Sequence, residues 1–144
     1  MKKVLVLNGP NLGRLDLREK NIYGDFDYAT LVSKVTDFAT EFGFNADVRQ
    51  SDDEAQLISW LHEAAESATP LIFNPAAFTH YSYAIRDAVA MLKAPVIEVH
   101  LSNPLAREEF RHTSVISGVS TGTISGFGLD SYRLALSALM NLVK

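Results

Sequence analysis

Residues Val4 to Leu7 form an apolar run with no polar alternation, entered from Lys3 and closed by Asn8. A strand with one wet face alternates, so an unbroken run marks a strand covered on both faces, as in a parallel sheet flanked by helices. In such sheets ligands bind in the crevice beyond the carboxyl ends of the strands. The stretch that follows, Asn8 to Asp27, shows neither helical period nor alternation, and it is far longer than the ~2 to 6 residues of an ordinary connection. Gly9, Pro10, Gly13 and Gly24 give it turns, while Asn8, Asn11, Arg14, Arg18 and Tyr23 give it chemistry. It reads as a lid or binding loop.

The rest of the chain alternates strand and helix. Tyr28, Leu31, Val32, Val35, Phe38, Ala39 and Phe42 make one helical stripe, with Gly43 placed for a left-handed cap. Phe44 to Gln50 reads as a weak strand. Ser51 and Glu54 have capping-box spacing, opening a helix whose Ile58, Leu61 and Ala65 face inward. Leu71 to Phe73 is a buried strand ending at Asn74, and Ile85, Ala88, Val89 and Leu92 mark the next helix. Val96 to His100 is a fourth strand, followed by a short helix around Ala106 to Phe110. A glycine-broken strand near Val119 to Ser125 leads to a last helix using Leu129, Tyr132, Leu136, Leu139, Met140 and Val143. Strict alternation implies parallel strands and right-handed crossovers. Five strands at this length favour an α/β, flavodoxin-like three-layer sandwich with a five-stranded parallel sheet in order 2-1-3-4-5, in one domain spanning residues 1–144.

That order makes strands one, three and four neighbours. The polar residues most in need of explanation follow those strands: Asn8 and Asn11, Asn74 to His80, and Glu98 to Arg111. Glu98 and His100 are two apart, so both leave the same face of a strand, where a carboxylate orients an imidazole and raises its basicity. The pair fits an acid or base as well as a satisfied buried polar contact. Arg107 and Arg111, four apart on the expected short helix, share a face and suit either an anion clamp or surface pairing with Glu108 and Glu109. The turn from Asn74 to His80 offers free backbone donors, with Thr79 equally suited to capping. Tyr23 becomes a base only if a neighbouring cation favours its phenolate, and Arg18 lies five residues away; otherwise it is a packing lid.

Several chemistries lack their parts. With no cysteine there is no disulfide, thiol catalysis or thiolate metal site, and the four histidines have no metal-ligand spacing. A formal net charge of -4 gives no basic field for nucleic acid, so anions must be met by local arginines. No apolar run approaches the ~18 residues of a membrane span, and the four apolar residues after Lys3 are too few for a signal peptide, so a soluble, unexported, cytoplasmic protein is expected. There is no glycine-rich nucleotide loop. The string Gly118 to Gly122 matches a nucleophile elbow, but no histidine follows His112 to complete a triad, so it is read as coincidence. Lys2, Lys3, Lys34, Lys93 and Lys144 fall away from the strand ends and Lys20 sits in the long loop, which disfavours Schiff-base chemistry.

Four blocks together carry a family likeness: NGPNLGRLDLRE with IYG from Asn8, QSDDEAQLISWLH from Gln50, NPAAFTHYSYAIRDA from Asn74, and EVHLSNPLAREEFRH from Glu98. The chain resembles the type II 3-dehydroquinate dehydratases, the small shikimate-pathway dehydroquinases that work without a Schiff base or cofactor. The likeness implies that Tyr23, its phenolate favoured by Arg18, removes a proton from C2 of 3-dehydroquinate. It implies that a water held by Asn11 stabilises the enolate, and that His100, oriented by Glu98, protonates the departing C1 hydroxyl. Leu101 and Ser102 would bind the substrate carboxylate, and Asn74, His80 and Arg111 the ring hydroxyls. Arg107 would back Tyr23, and Asp87 would be a binding or subunit-contact residue. The family assembles as a homododecamer, a tetramer of trimers, and the same reaction also serves quinate breakdown.

The chain departs from the commonest family pattern at Ala76, where glycine is usual, at Tyr81 and Tyr83, which replace smaller residues, and at Thr113, which replaces a frequent histidine. Ala76 would tighten the turn if its backbone needs positive φ. The competing class is a flavodoxin-like binding or signalling module. A receiver needs an acidic cluster after strand one, where Asn8 stands, and a flavin carrier needs hydroxyls between Asn8 and Gly13, where there are none.

Overall fold

Alternate residues of the first strand feed two separate cores. Val4 and Val6 point into one, while Leu5 and Leu7 point into the other, and all four are buried. The computed structural model describes residues 1–143; Lys144, among the lysines read as remote from the strand ends, lies outside them. Five parallel strands, β1 (Lys2–Asn8), β2 (Phe44–Gln50), β3 (Leu71–Asn74), β4 (Val96–His100) and β5 (Gly122–Ser125), run in the order β2-β1-β3-β4-β5. The helices are α1 (Lys20–Tyr23), α2 (Tyr28–Glu41), α3 (Glu54–Ser67), α4 (Tyr83–Val89) and α5 (Asp130–Leu142). The flavodoxin-like expectation holds, with α2 and α5 on one face of the sheet and α3 and α4 on the other. No helix among the described residues is long and apolar enough to cross a membrane.

Helix α2 begins at Asp27, whose carboxylate accepts from the Thr30 amide at 2.9 Å, and ends before Gly43, which has the left-handed φ of 82° that a closing glycine supplies. Its Leu31, Val35 and Ala39 are fully buried, and each larger aliphatic contributes about 1.5–3 kcal/mol by leaving water.

Four local expectations are corrected. The stretch Asn8 to Asp27 is not structureless: Leu12–Leu17 is wound in 3-10 turns and α1 is a single helical turn, with Leu12 and Leu15 buried. Elements this short hold too few residues to display a period. The capping box at Ser51 and Glu54 does not form. Asp53 caps α3 by accepting from Ala55 N at 3.0 Å, Ser51 Oγ accepts from Asp53 N, and Glu54 is drawn instead to the Ser82 hydroxyl at 2.6 Å, a charge-assisted bond. The inward face of α3 is accordingly Leu57, Leu61 and Ala64, with Ile58 and Ala65 only half-buried at its flank, and α4 ends at Val89, before Leu92.

The fourth correction concerns the β4 to β5 crossover. No α-helix spans Ala106 to Phe110; the segment is three 3-10 turns, Pro104–Ala106, Glu109–Arg111 and Ser117–Val119. Arg107 and Arg111 therefore do not share a helix face. The missing helix leaves backbone groups free for other partners: the Arg107 carbonyl accepts from His112 Nε2 at 3.0 Å, the Thr113 carbonyl from His80 Nδ1 at 2.9 Å, and Val115 N donates to Thr79 O at 2.8 Å.

Candidate active site

The parallel register aligns the strand ends: Asn8 of β1 pairs with Gln50 of β2 and with Asn74 of β3, and Phe73 of β3 pairs with Glu98 of β4. Beyond those ends lies a narrow, polar-lined cleft of about 30 Å³. Most of the candidate residues line it. Arg18 and Tyr23 come from the long loop, Asn74 and His80 from the turn after β3, His100, Leu101 and Ser102 from the end of β4, and Arg107 and Arg111 from the crossover. Glu98 is buried behind His100. Asn11 and Asp87 stand outside: Asn11 is exposed one residue before Leu12, and Asp87 is exposed on α4, 3.6 Å from Arg86 Nη1. Arg14 also points away, bonded to Asp16 at 3.0 Å.

Tyr23 forms a wall between this cleft and a wider, more open recess of about 640 Å³ beside α1. Its ring is in the core with Leu12 and Leu15. Its hydroxyl accepts a short hydrogen bond from Arg18 Nη2. The Arg18 guanidinium lies 3.8 Å from the ring centroid and that of Arg107 4.9 Å away. Burial pushes Arg18 below the usual arginine range, and the neighbouring Arg107 and Arg111 charges act the same way. Arg107 Nε is buried without a hydrogen-bond partner among the described residues, although its Nη1 donates to Ser102 Oγ at 3.1 Å. Glu108 partly answers this charge, 3.9 Å from Arg107 and 3.2 Å from Arg111, and Glu19 acts on Arg18. Within a protein of net charge -4, the cleft gathers positive charge of the kind that attracts anions.

Opposite stands the strand pair expected from E-x-H spacing. Glu98 Oε2 accepts from His100 Nε2 at 2.6 Å. The other donors were not legible: Ser117 Oγ reaches Oε1 at 2.8 Å and Ser114 Oγ at 3.0 Å. Ser114 Oγ itself accepts from Ile116 N and Ser117 N, so its one proton is left for Glu98. Burial alone would raise the Glu98 carboxyl, but the bonds from His100, Ser117 and Ser114 outweigh it and hold the group below its ordinary value. An ionised Glu98 accepts only, so Nε2 of His100 must donate and Nδ1 is the ring's remaining nitrogen. In His80, Nδ1 donates to the Thr113 carbonyl, which leaves Nε2 as an acceptor. Burial chiefly pushes this imidazole down, toward the neutral form.

The turn after β3 is tight. A Cβ on Gly9 would lie 2.5 Å from the Pro75 carbonyl oxygen, so β1 leaves the sheet in backbone contact with the turn that carries Asn74 and His80. Ala76 sits in that turn at a left-handed φ of 54°, as anticipated for a position where glycine is usual. That conformation costs an L-residue ~1–2 kcal/mol, against ~0.5–1 kcal/mol of backbone entropy that glycine forfeits on folding. Ala76→Gly is therefore expected to stabilise the domain by up to about 1 kcal/mol, read as a higher unfolding midpoint in urea. A lower midpoint would show the turn is not strained.

An arginine-bonded tyrosine and a carboxylate-backed histidine facing one arginine-rich cleft, on a flavodoxin-like sheet, are the equipment of an acid–base enzyme. The chain belongs to the dehydroquinase class II family, whose model matches residues 2–140. It is 55% identical over 137 residues to the 3-dehydroquinate dehydratase of Salinispora tropica, covering 95% of this chain and 96% of that protein. Against the 3-dehydroquinate dehydratase of Halalkalibacterium halodurans it is 52% identical, with 97% of each covered. The crystal structure of type II dehydroquinase from Propionibacterium acnes superposes with a TM-score of 0.95 at 52% identity, covering 98% of this chain and 97% of that one.

Proposed function

We propose that the protein is a 3-dehydroquinate dehydratase that eliminates water through an enolate, at the shikimate-pathway step of aromatic amino-acid biosynthesis. One observation carries the reading: the Arg18-bonded hydroxyl of Tyr23 faces the same cleft as a carboxylate-backed histidine. Tyr23 takes the proton from C2, and the electron pair moves into the ketone to form the enolate. The Arg18 and Arg107 charges beside the tyrosine oxygen and the cleft offset the negative charge in play. His100 then gives a proton to the C1 hydroxyl, which leaves as water while the enolate collapses to the conjugated enone. Glu98 stabilises the imidazolium that donates it.

The substrate carboxylate is assigned to Leu101 and Ser102. Ser102 Oγ already accepts from Arg107, so its own proton is free to bond an anion. Asn74, His80 and Arg111 meet the ring hydroxyls, His80 as an acceptor through Nε2. Asn11 holds a water at the enolate, and Asp87 contributes from the surface to a neighbouring subunit of a dodecamer built from trimers. The enzyme works in the cytoplasm.

The test is absorbance in the near-ultraviolet band of the conjugated enone on mixing the protein with 3-dehydroquinate. Product should form, and borohydride added with substrate should leave the enzyme active, since no lysine among the described residues lines the cleft. A silent protein, or one inactivated by borohydride, would overturn the reading.

A further inference from the structure

Tyr132 reads in sequence as one more apolar position on the inward stripe of α5. Its ring is indeed in the core, fully buried with Leu136 and Leu139. Its hydroxyl, however, ends beneath the cleft, between two strand ends. It donates to Asn8 Oδ1 at 2.6 Å and accepts from Asn74 Nδ2 at 3.2 Å. Asn8 and Asn74 are themselves buried.

The direction of these bonds is forced from both ends. Asn74 Oδ1 accepts from the backbone N–H of Ala76 at 3.1 Å, and an N–H can only donate. Asn8 Nδ2 donates to the backbone carbonyl of Arg49 at 3.2 Å, and a carbonyl can only accept. Between these fixed ends neither amide can flip without leaving a buried polar group unpaired, and the single phenolic proton must point at Asn8. Burial pushes the Tyr132 phenol up, so the proton stays in place through the neutral range. The chain crosses β2, β1 and β3 at their carboxyl ends and stops at the one member that lines the cleft, Asn74.

We propose that Tyr132 is a positioning residue of the substrate site: its hydroxyl locks the Asn74 amide with Nδ2 committed once, so that this position offers the substrate a single N–H donor. The inference rests on the dehydratase reading and adds a specificity to it. The substrate oxygen that meets Asn74 must accept, while the one that meets His80 Nε2 must donate.

The measurement is steady-state kinetics of Tyr132→Phe, Asn74→Ala and the double variant, each checked for fold by circular dichroism. Tyr132→Phe leaves Asn8 Oδ1 and Asn74 Nδ2 without their partner, so the Asn74 amide is held by its Oδ1 end alone. KM for 3-dehydroquinate should rise about tenfold with kcat nearly unchanged, the signature of lost substrate binding. The double variant should be no worse in KM than Asn74→Ala alone, because Tyr132 acts through Asn74. A Tyr132→Phe enzyme with wild-type KM, or effects that multiply in the double variant, would overturn the proposal while wild-type turnover keeps the dehydratase reading. A silent wild type would remove both. If Tyr132→Phe does not fold, Asn8→Ala cuts the chain at its other end; a raised KM supports the lock and an unchanged one rejects it.

Discussion

Tyr23→Phe is expected to give a folded protein that turns over 3-dehydroquinate at least about a thousandfold more slowly than wild type, with KM little changed. The substitution removes one oxygen. The ring keeps its place against Leu12 and Leu15, and the guanidiniums of Arg18 and Arg107 keep their positions 3.8 and 4.9 Å from its centroid. What disappears is the atom proposed to receive the C2 proton, and general-base catalysis is worth ~10²–10⁴-fold. The imidazoles of the cleft are assigned to other tasks, His100 to the departing hydroxyl and His80 Nε2 to a ring hydroxyl. His100 Nε2 is committed to Glu98, and His80 is oriented by a carbonyl. Kinetics at saturating substrate decide the matter, because kcat within tenfold of wild type would place the base elsewhere.

Glu98→Gln is expected to lower kcat by about 10²-fold and to flatten the response of stability to acid. The carboxylate accepts from His100, Ser114 and Ser117 while only 1% exposed, so its charge is the counterweight in the proposed proton delivery by His100. An amide of the same shape cannot supply that charge. The sign of the pH effect follows from the depressed carboxyl. A group held lower in the folded state stabilises above its unfolded value, ordinarily 4.5, and that contribution is lost as pH falls through the folded value. Urea unfolding of the two proteins should therefore differ most near neutrality and converge below that range. A gap that stays constant from neutrality into acid would mean Glu98 is not held as a carboxylate.

How much of this was legible in the sequence depended on how far each contact reaches. The apolar run of β1 and the E-x-H spacing of β4 are governed by local geometry, and both came through. The ordering of Arg18 against Tyr23 was close enough in sequence to be anticipated. The two arginines of the crossover were expected on one helix; instead Arg107 reaches the cleft from the extended link after one 3-10 turn and Arg111 from the next turn, because no periodic signal marks turns of three residues. Ser114 and Ser117 hold Glu98 from 16 and 19 residues away, across a connection that carries no pattern. Tyr132 was hidden differently: its ring satisfies the helix stripe, and nothing in that stripe reports where the hydroxyl ends.

The irregular crossover also bears on how freely its residues can change. His80 is oriented by the main-chain oxygen of Thr113, and His112 by that of Arg107. Any amino acid supplies that oxygen, so the side chain at Thr113 does not set the His80 tautomer. Tyr81 and Tyr83, the other unusual residues, are 58% and 69% exposed and leave the cleft untouched. At Thr113 side-chain identity is thus uncoupled from the instruction the residue delivers to the site, and substitution there is silent so long as the path of the backbone is preserved.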